Sequence, residues 1–106
     1  APAAPAAATP RLVARRPDPA AAVPGVRDYD RAIASLRTAV RDRRADLDSG
    51  TVAVLERNLR IIDEAIRQSR EALEAAPASP MLERALTKAL DRKVELLRTA
   101  ALLPRS

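Results

Sequence analysis

The sequence contains no cysteine and no histidine, and Tyr29 is its single aromatic residue. Without cysteine the chain cannot close a disulfide, present a thiolate nucleophile or bind zinc through sulfur. Without histidine it loses the commonest general base at neutral pH. A metal site would have to be built from oxygen donors alone. Glycine is nearly as scarce: Gly25 and Gly50 read as single turn residues and leave no loop to cradle a phosphate. Five serines remain, but no Ser-x-x-Lys spacing accompanies them. No apolar run approaches the roughly 18–20 residues that a membrane helix needs. The lack of cysteine fits the cytosol and the periplasm equally.

Alanine, leucine and arginine dominate the remainder. The 106 residues are 47% apolar, enough for one small domain, yet much of that share is alanine. A core of Leu, Ile, Val and Ala buries little area per residue, so modest stability alone is expected. Docking on a partner would add to it by mass action. The formal net charge of +5 comes almost wholly from arginine. Such a charge can signal nucleic acid or anionic lipid. Here acids and bases alternate through most of the chain, and arginine with alanine is also the signature of a GC-rich bacterial genome. The sequence opens on Ala1. A processed or truncated product is therefore expected, with a signal peptide or a transmembrane helix upstream and an extracytoplasmic location.

Residues 1–27 are low in complexity. Pro2, Pro5, Pro10, Pro17, Pro19 and Pro24 interrupt an alanine and arginine background. Each proline fixes φ, removes a backbone donor and turns its predecessor away from the α region. An extended, partly polyproline II arm with no core of its own is expected. The same composition also reads as a linker. Its charge is net positive, with Arg11, Arg15, Arg16 and Arg27 against Asp18.

Residues 28–106 read as three helices, at about 28–47, 49–75 and 80–103. In the first, Tyr29, Ile33, Leu36, Val40 and Leu47 form one stripe, with Arg43 at the skipped place and Asp28 as the expected N-cap. The second carries Val52, Leu55, Leu59, Ile62, Ile66 and Leu73, widened by Ile61 and Ala65. Asp48 is placed to cap it, with Thr51 three residues on. Glu56 with Arg60, Asp63 with Arg67, Arg67 with Glu71 and Arg70 with Glu74 stand at ion-pair spacing on its outer face. The third begins at Ser79 and Pro80, a cap and first-turn proline. It continues through Leu82, Leu86, Leu90, Val94, Leu97 and Ala101, with Met81, Ala89, Leu96 and Leu102 alongside, and stops at Pro104. Short corners make neighbouring helices antiparallel. The expected fold is all-α: an elongated antiparallel three-helix bundle with an extended Pro/Ala-rich N-terminal arm. Leu73, Met81 and Leu82 form the expected exposed patch at the second corner.

No catalytic constellation emerges. Each carboxylate lies near an arginine at helical spacing, and no pair sits alone in an apolar context. Tyr29 reads as a core cap. Arg37, Arg41, Arg43 and Arg44 are the candidates for nucleic-acid contact, set against a solvated face beside Asp42, Asp46 and Asp48. No aromatic stacking residue or recognition-helix turn accompanies them. A membrane-surface helix would pair lysines with bulky aromatics, and none does.

The stretch from Tyr29 to Leu47, followed by Thr51-Val52, Leu55, Asn58-Leu59, Ile61-Ile62-Asp63 and Ala65-Ile66, leads into the corner from Pro77 to Pro80 and then Lys93-Val94-Glu95-Leu96-Leu97. This pattern resembles the extracytoplasmic helical tail of bacterial zinc-finger, anti-sigma-factor-like membrane proteins. The resemblance covers about residues 28–103 and does not include that family's zinc-binding part or membrane span. It implies a helical fold and the periplasmic side of a membrane, without anti-sigma activity. A tail of this kind used as an accessory subunit, as in a phototrophic reaction centre–light-harvesting complex, would be a non-enzymatic docking element. The expected partners are other protein subunits, with no cofactor, no metal and no small-molecule substrate. Any membrane contact would run through those partners. Pro10, Arg11, Leu12, Val13, Arg15, Arg16 and Pro17 of the arm are expected to join Leu73, Met81 and Leu82 in partner binding. Two alternatives stay open: a sensor tail of an anti-sigma-like regulator, and nucleic-acid binding through the basic face of the first helix.

Overall fold

The computed structural model describes residues 18–104. Among them are three α-helices: α1 (Val26–Arg43), α2 (Ser49–Ala75) and α3 (Pro80–Leu102). Two short 3-10 turns, Pro19–Ala22 and Arg44–Asp46, precede and follow α1. The all-helical reading holds.

The helix starts follow local chemistry. Asp48 is extended and its carboxylate accepts the Thr51 amide at 3.1 Å, which satisfies an otherwise orphaned donor at the head of α2. Ser79 does the same for Leu82 at 3.3 Å, and Pro80 occupies the first turn of α3. The expected cap at Asp28 is corrected. The chain enters α1 through Gly25, whose φ of 85° is the left-handed conformation that glycine adopts without strain, so the helix begins at Val26. Its end is corrected too. Asp48 must be extended to cap α2, so the α-helix closes at Arg43, tightens into the 3-10 turn and straightens at Leu47. Leu47 still reaches the interior from this extended position.

The last part of the expected arm belongs to the core. Asp18 caps the turn Pro19–Ala22 by accepting the Ala20 amide at 3.0 Å. Ala20 is fully buried, and Val23 and Val26 join the main apolar cluster. Prolines do not prevent this, because Pro19 sits at the first position of the turn, where no donor is missed.

The core sits along α3. Leu86, Leu90, Val94 and Leu97 recur at intervals of three or four and are all buried. Ala89 and Ala100 complete that face. Both α1 and α2 pack on α3 but scarcely approach each other along their backbones. At one end the turn Pro19–Ala22 fills the space between them, contacting both. Ile33 of α1 and Leu73 of α2 close the cluster, with Tyr29, Leu36, Val40, Leu59 and Ile66 packed at its edge.

Polar side chains tie the elements together at the surface. Arg70 of α2 reaches Asp18 at 3.5 Å and Asp30 of α1 at 3.6 Å. Arg44 pairs with Glu56. Between α1 and α3 the Tyr29 hydroxyl donates to Asp91, and Arg43 donates to the Ala100 carbonyl. Lys93 of α3 donates to Asp63 of α2 at 2.6 Å. Of the ion pairs expected within α2, Arg67 with Glu71 forms. Glu56, Asp63 and Arg70 instead pair with other elements, because opposite charges on neighbouring segments lie within reach.

Truncating the α3 stripe should be costly, while truncating the outer face of α2 should not. Leu90→Ala is expected to lower unfolding stability by about 2–5 kcal/mol. Ile61→Ala should change it by about 0.5 kcal/mol or less. Urea unfolding followed by helical circular dichroism checks both, and equal losses would contradict the packing described.

Candidate docking surfaces

The expected binding residues fall into different environments. Pro10, Arg11, Leu12, Val13, Arg15, Arg16 and Pro17 lie outside the described residues. Met81 is 67% exposed at the head of α3. Leu82 is half-buried against the core. Leu73 has no exposed surface at all. The expected patch at the second corner is therefore corrected. The stripe that holds Ile66 also turns Leu73 inward, where the Pro19–Ala22 turn and α3 cover it. Met81 instead borders a groove between α1 and α3, together with Pro24, Tyr29, Pro80 and Lys88.

The basic cluster of α1 is not a free cationic face. Arg43 turns inward, and its guanidinium donates to the carbonyls of Ala100, Ala101 and Leu103. These carbonyls cluster at the end of α3, where acceptors lack helical partners (Ala100 also takes the Leu103 amide) and a cation meets the negative end of the helix dipole. Arg44 is held by Glu56. Arg37 and Arg41 remain, beside a small apolar groove formed by Val40, Leu47, Val52 and Leu59 over Leu97.

A further surface was not anticipated from the sequence. Ile61, expected to widen the buried stripe of α2, is 64% exposed. It lies on the outer seam between α2 and α3, in a groove of about 470 Å³. Ile62, Ala65 and Ala72 form its α2 wall, and Leu82, Ala85 and Ala89 its α3 wall. The available signal was the width of the stripe. Adjacent Ile61 and Ile62 point roughly 100° apart on a helix, so a single neighbour cannot cover both.

Titration at these surfaces is governed by local contacts. The Tyr29 hydroxyl donates to Asp91 at 3.3 Å. Partial burial holds the phenol above its ordinary value, and the Asp91 charge and hydrogen bond act in the same direction. On α2, Arg67 bridges Glu64 and Glu71. Its hydrogen bond to Glu64 holds that carboxyl below the usual range, and the arginine is correspondingly raised. These groups are exposed, and such networks contribute little to stability. Among the described residues, no group of three acidic, histidine or cysteine side chains is arranged to hold a metal ion. No described helix is long and apolar enough to cross a membrane.

Comparisons with protein-family models, with curated proteins and with solved structures find no match to this chain.

Tyr29 offers a direct optical test, since it is the sole tyrosine. A phenol raised on folding contributes stability that is complete below its unfolded pKa, near 10, and is lost as pH rises through the higher folded value. Alkaline titration of tyrosinate absorbance should show a higher midpoint in the folded chain than in urea. Asp91→Asn should bring that midpoint partway down. Coincident midpoints would contradict the Tyr29–Asp91 contact.

Proposed function

We propose that this chain is a non-enzymatic docking subunit: an elongated antiparallel three-helix bundle that settles on a larger extracytoplasmic protein assembly, with residues 1–17 making further contacts. The observation that carries this reading is the large apolar side chains exposed on the helices. Val54, Ile61, Met81 and Leu102 are all more than half exposed, although the core of this small chain is made largely of leucine, valine and alanine. Ile61 and Met81 each border a groove between helices, where exposed apolar area offers a partner a place to pack. The pairings of Arg70 with Asp30, Arg44 with Glu56 and Lys93 with Asp63 support the antiparallel order of neighbouring helices. The extracytoplasmic setting is supported by the resemblance of residues 28–103.

The burial of Ala20 and Val23 determines where the arm can be cut. Removing residues 1–17 should leave thermal unfolding within a few degrees of the full chain. Removing residues 1–25 takes away the turn that covers Leu73 and should lower the midpoint by about 10 °C or more, given that 1 kcal/mol shifts a domain of this size by roughly 4–8 °C. The shorter deletion then tests binding cleanly. Tagged full-length chain purified from its source should retain partner proteins, and the chain lacking residues 1–17 should retain less of them. Undiminished co-purification would remove the arm from the proposal, and a chain that carries no partner at all would sink the docking reading.

A further inference from the structure

The outer groove between α2 and α3 combines three properties. Its walls are mostly small or aliphatic, and Ala65, Ala72, Ala85 and Ala89 would let another helix approach to the 8–10 Å at which helices pack. From Ile61 to Ala72 it runs about 16 Å at 1.5 Å per residue, close to three helical turns. Its charge is of one sign. Lys88 and Arg92 line it, and no carboxylate does.

These two cations lie four residues apart on one face of α3. Among the described residues neither makes an ion pair, whereas Lys93 is held by Asp63 and Arg98 by Glu95. Of the acids next along α3, Glu95 is paired with Arg98, and Asp91 accepts the Tyr29 hydroxyl on the α1 side while keeping its charge; both line the adjoining stretch of the seam beyond Arg92. On α2, Glu64 is bound by Arg67 and Gln68. The groove thus presents an apolar floor with two cations and no carboxylate along its walls.

We infer that this groove receives an amphipathic helix of a partner protein whose apolar face is flanked by acidic residues spaced one turn apart. The inference rests on the docking reading above and specifies its surface and partner chemistry. Aliphatic residues of the partner pack against Ile61, Ile62 and Leu82. Its carboxylates meet Lys88 and Arg92 at the rim, where opposite charge selects the partner and fixes its register. Duplex DNA would also meet the cations but leaves Ile61 uncovered. A second copy of this chain would bring Lys88 and Arg92 against groove walls that carry no acid.

The test uses the full chain and a synthetic helical peptide of about 18 residues, five turns long, with leucines on one face and glutamates beside them. A second peptide carries lysine in place of glutamate. Fluorescence anisotropy should show the acidic peptide binding and the basic one not. K88E/R92E should weaken the acidic peptide about tenfold or more and restore binding of the basic one. Ile61→Glu, at an exposed position, should abolish both while leaving the helical melt unchanged. Equal binding of the two peptides, indifference to these variants, dimerisation broken by Ile61→Glu, or DNA binding lost in K88E/R92E would each overturn the inference. The same variants, tagged and purified from the source, separate the two levels of the account. Partners retained by the variants defeat the groove and leave the docking reading intact, whereas no partners on the unaltered chain defeat the docking reading itself.

Discussion

The structure depends on the buried stripe of α3. Leu86, Leu90, Val94 and Leu97 are the surface that both other helices share, and α1 and α2 make little backbone approach to each other. The cause lies in the side chains available. Without phenylalanine or tryptophan, none can span a wide interior, so the helices pack in pairs around the one with the most continuous apolar face. Where pairing leaves space between α1 and α2, a piece of chain has to fill it. At one end that piece is the turn Pro19–Ala22, which brings Ala20 and the following Val23 into the cluster that holds Leu73.

Charge takes a larger part in connecting the elements than the charge pattern of each helix implies. Arg70 links the N-terminal turn and α1 to α2, Lys93 links α3 to α2, and Arg43 links the end of α1 to the last carbonyls of α3. Each contact is modest alone, since partly exposed pairs contribute about 1 kcal/mol or less. Together they fix which ends of the helices lie side by side. They also leave the α2–α3 groove with two cations, Lys88 and Arg92, and no carboxylate along its walls.

Much of this was legible in the sequence. The three- and four-residue spacing of leucine, isoleucine and valine located the helices, and Asp48 and Ser79 marked two starts correctly. What escaped were features set by tertiary contact. Proline in residues 19–24 reads as a bar to packing, yet a 3-10 turn accommodates Pro19 at its first position and buries the alanine after it. Glu56, Asp63 and Arg70 stand at proper spacing for partners on their own helix, and only the fold brings other cations and acids closer. Leu73 and Ile61 exchanged places for the same reason. Periodicity identifies an apolar face, but the neighbours decide which edge of it is covered.

Native-state hydrogen exchange measures the central claim most directly. If α3 is the shared support, the amides from Leu86 to Leu97 should be the slowest in the chain and should open only with global unfolding. Amides near the ends of α1 and α2 should exchange through smaller openings. Protection that is uniform across the three helices, or greatest in α1 or α2, would contradict an architecture organised around α3.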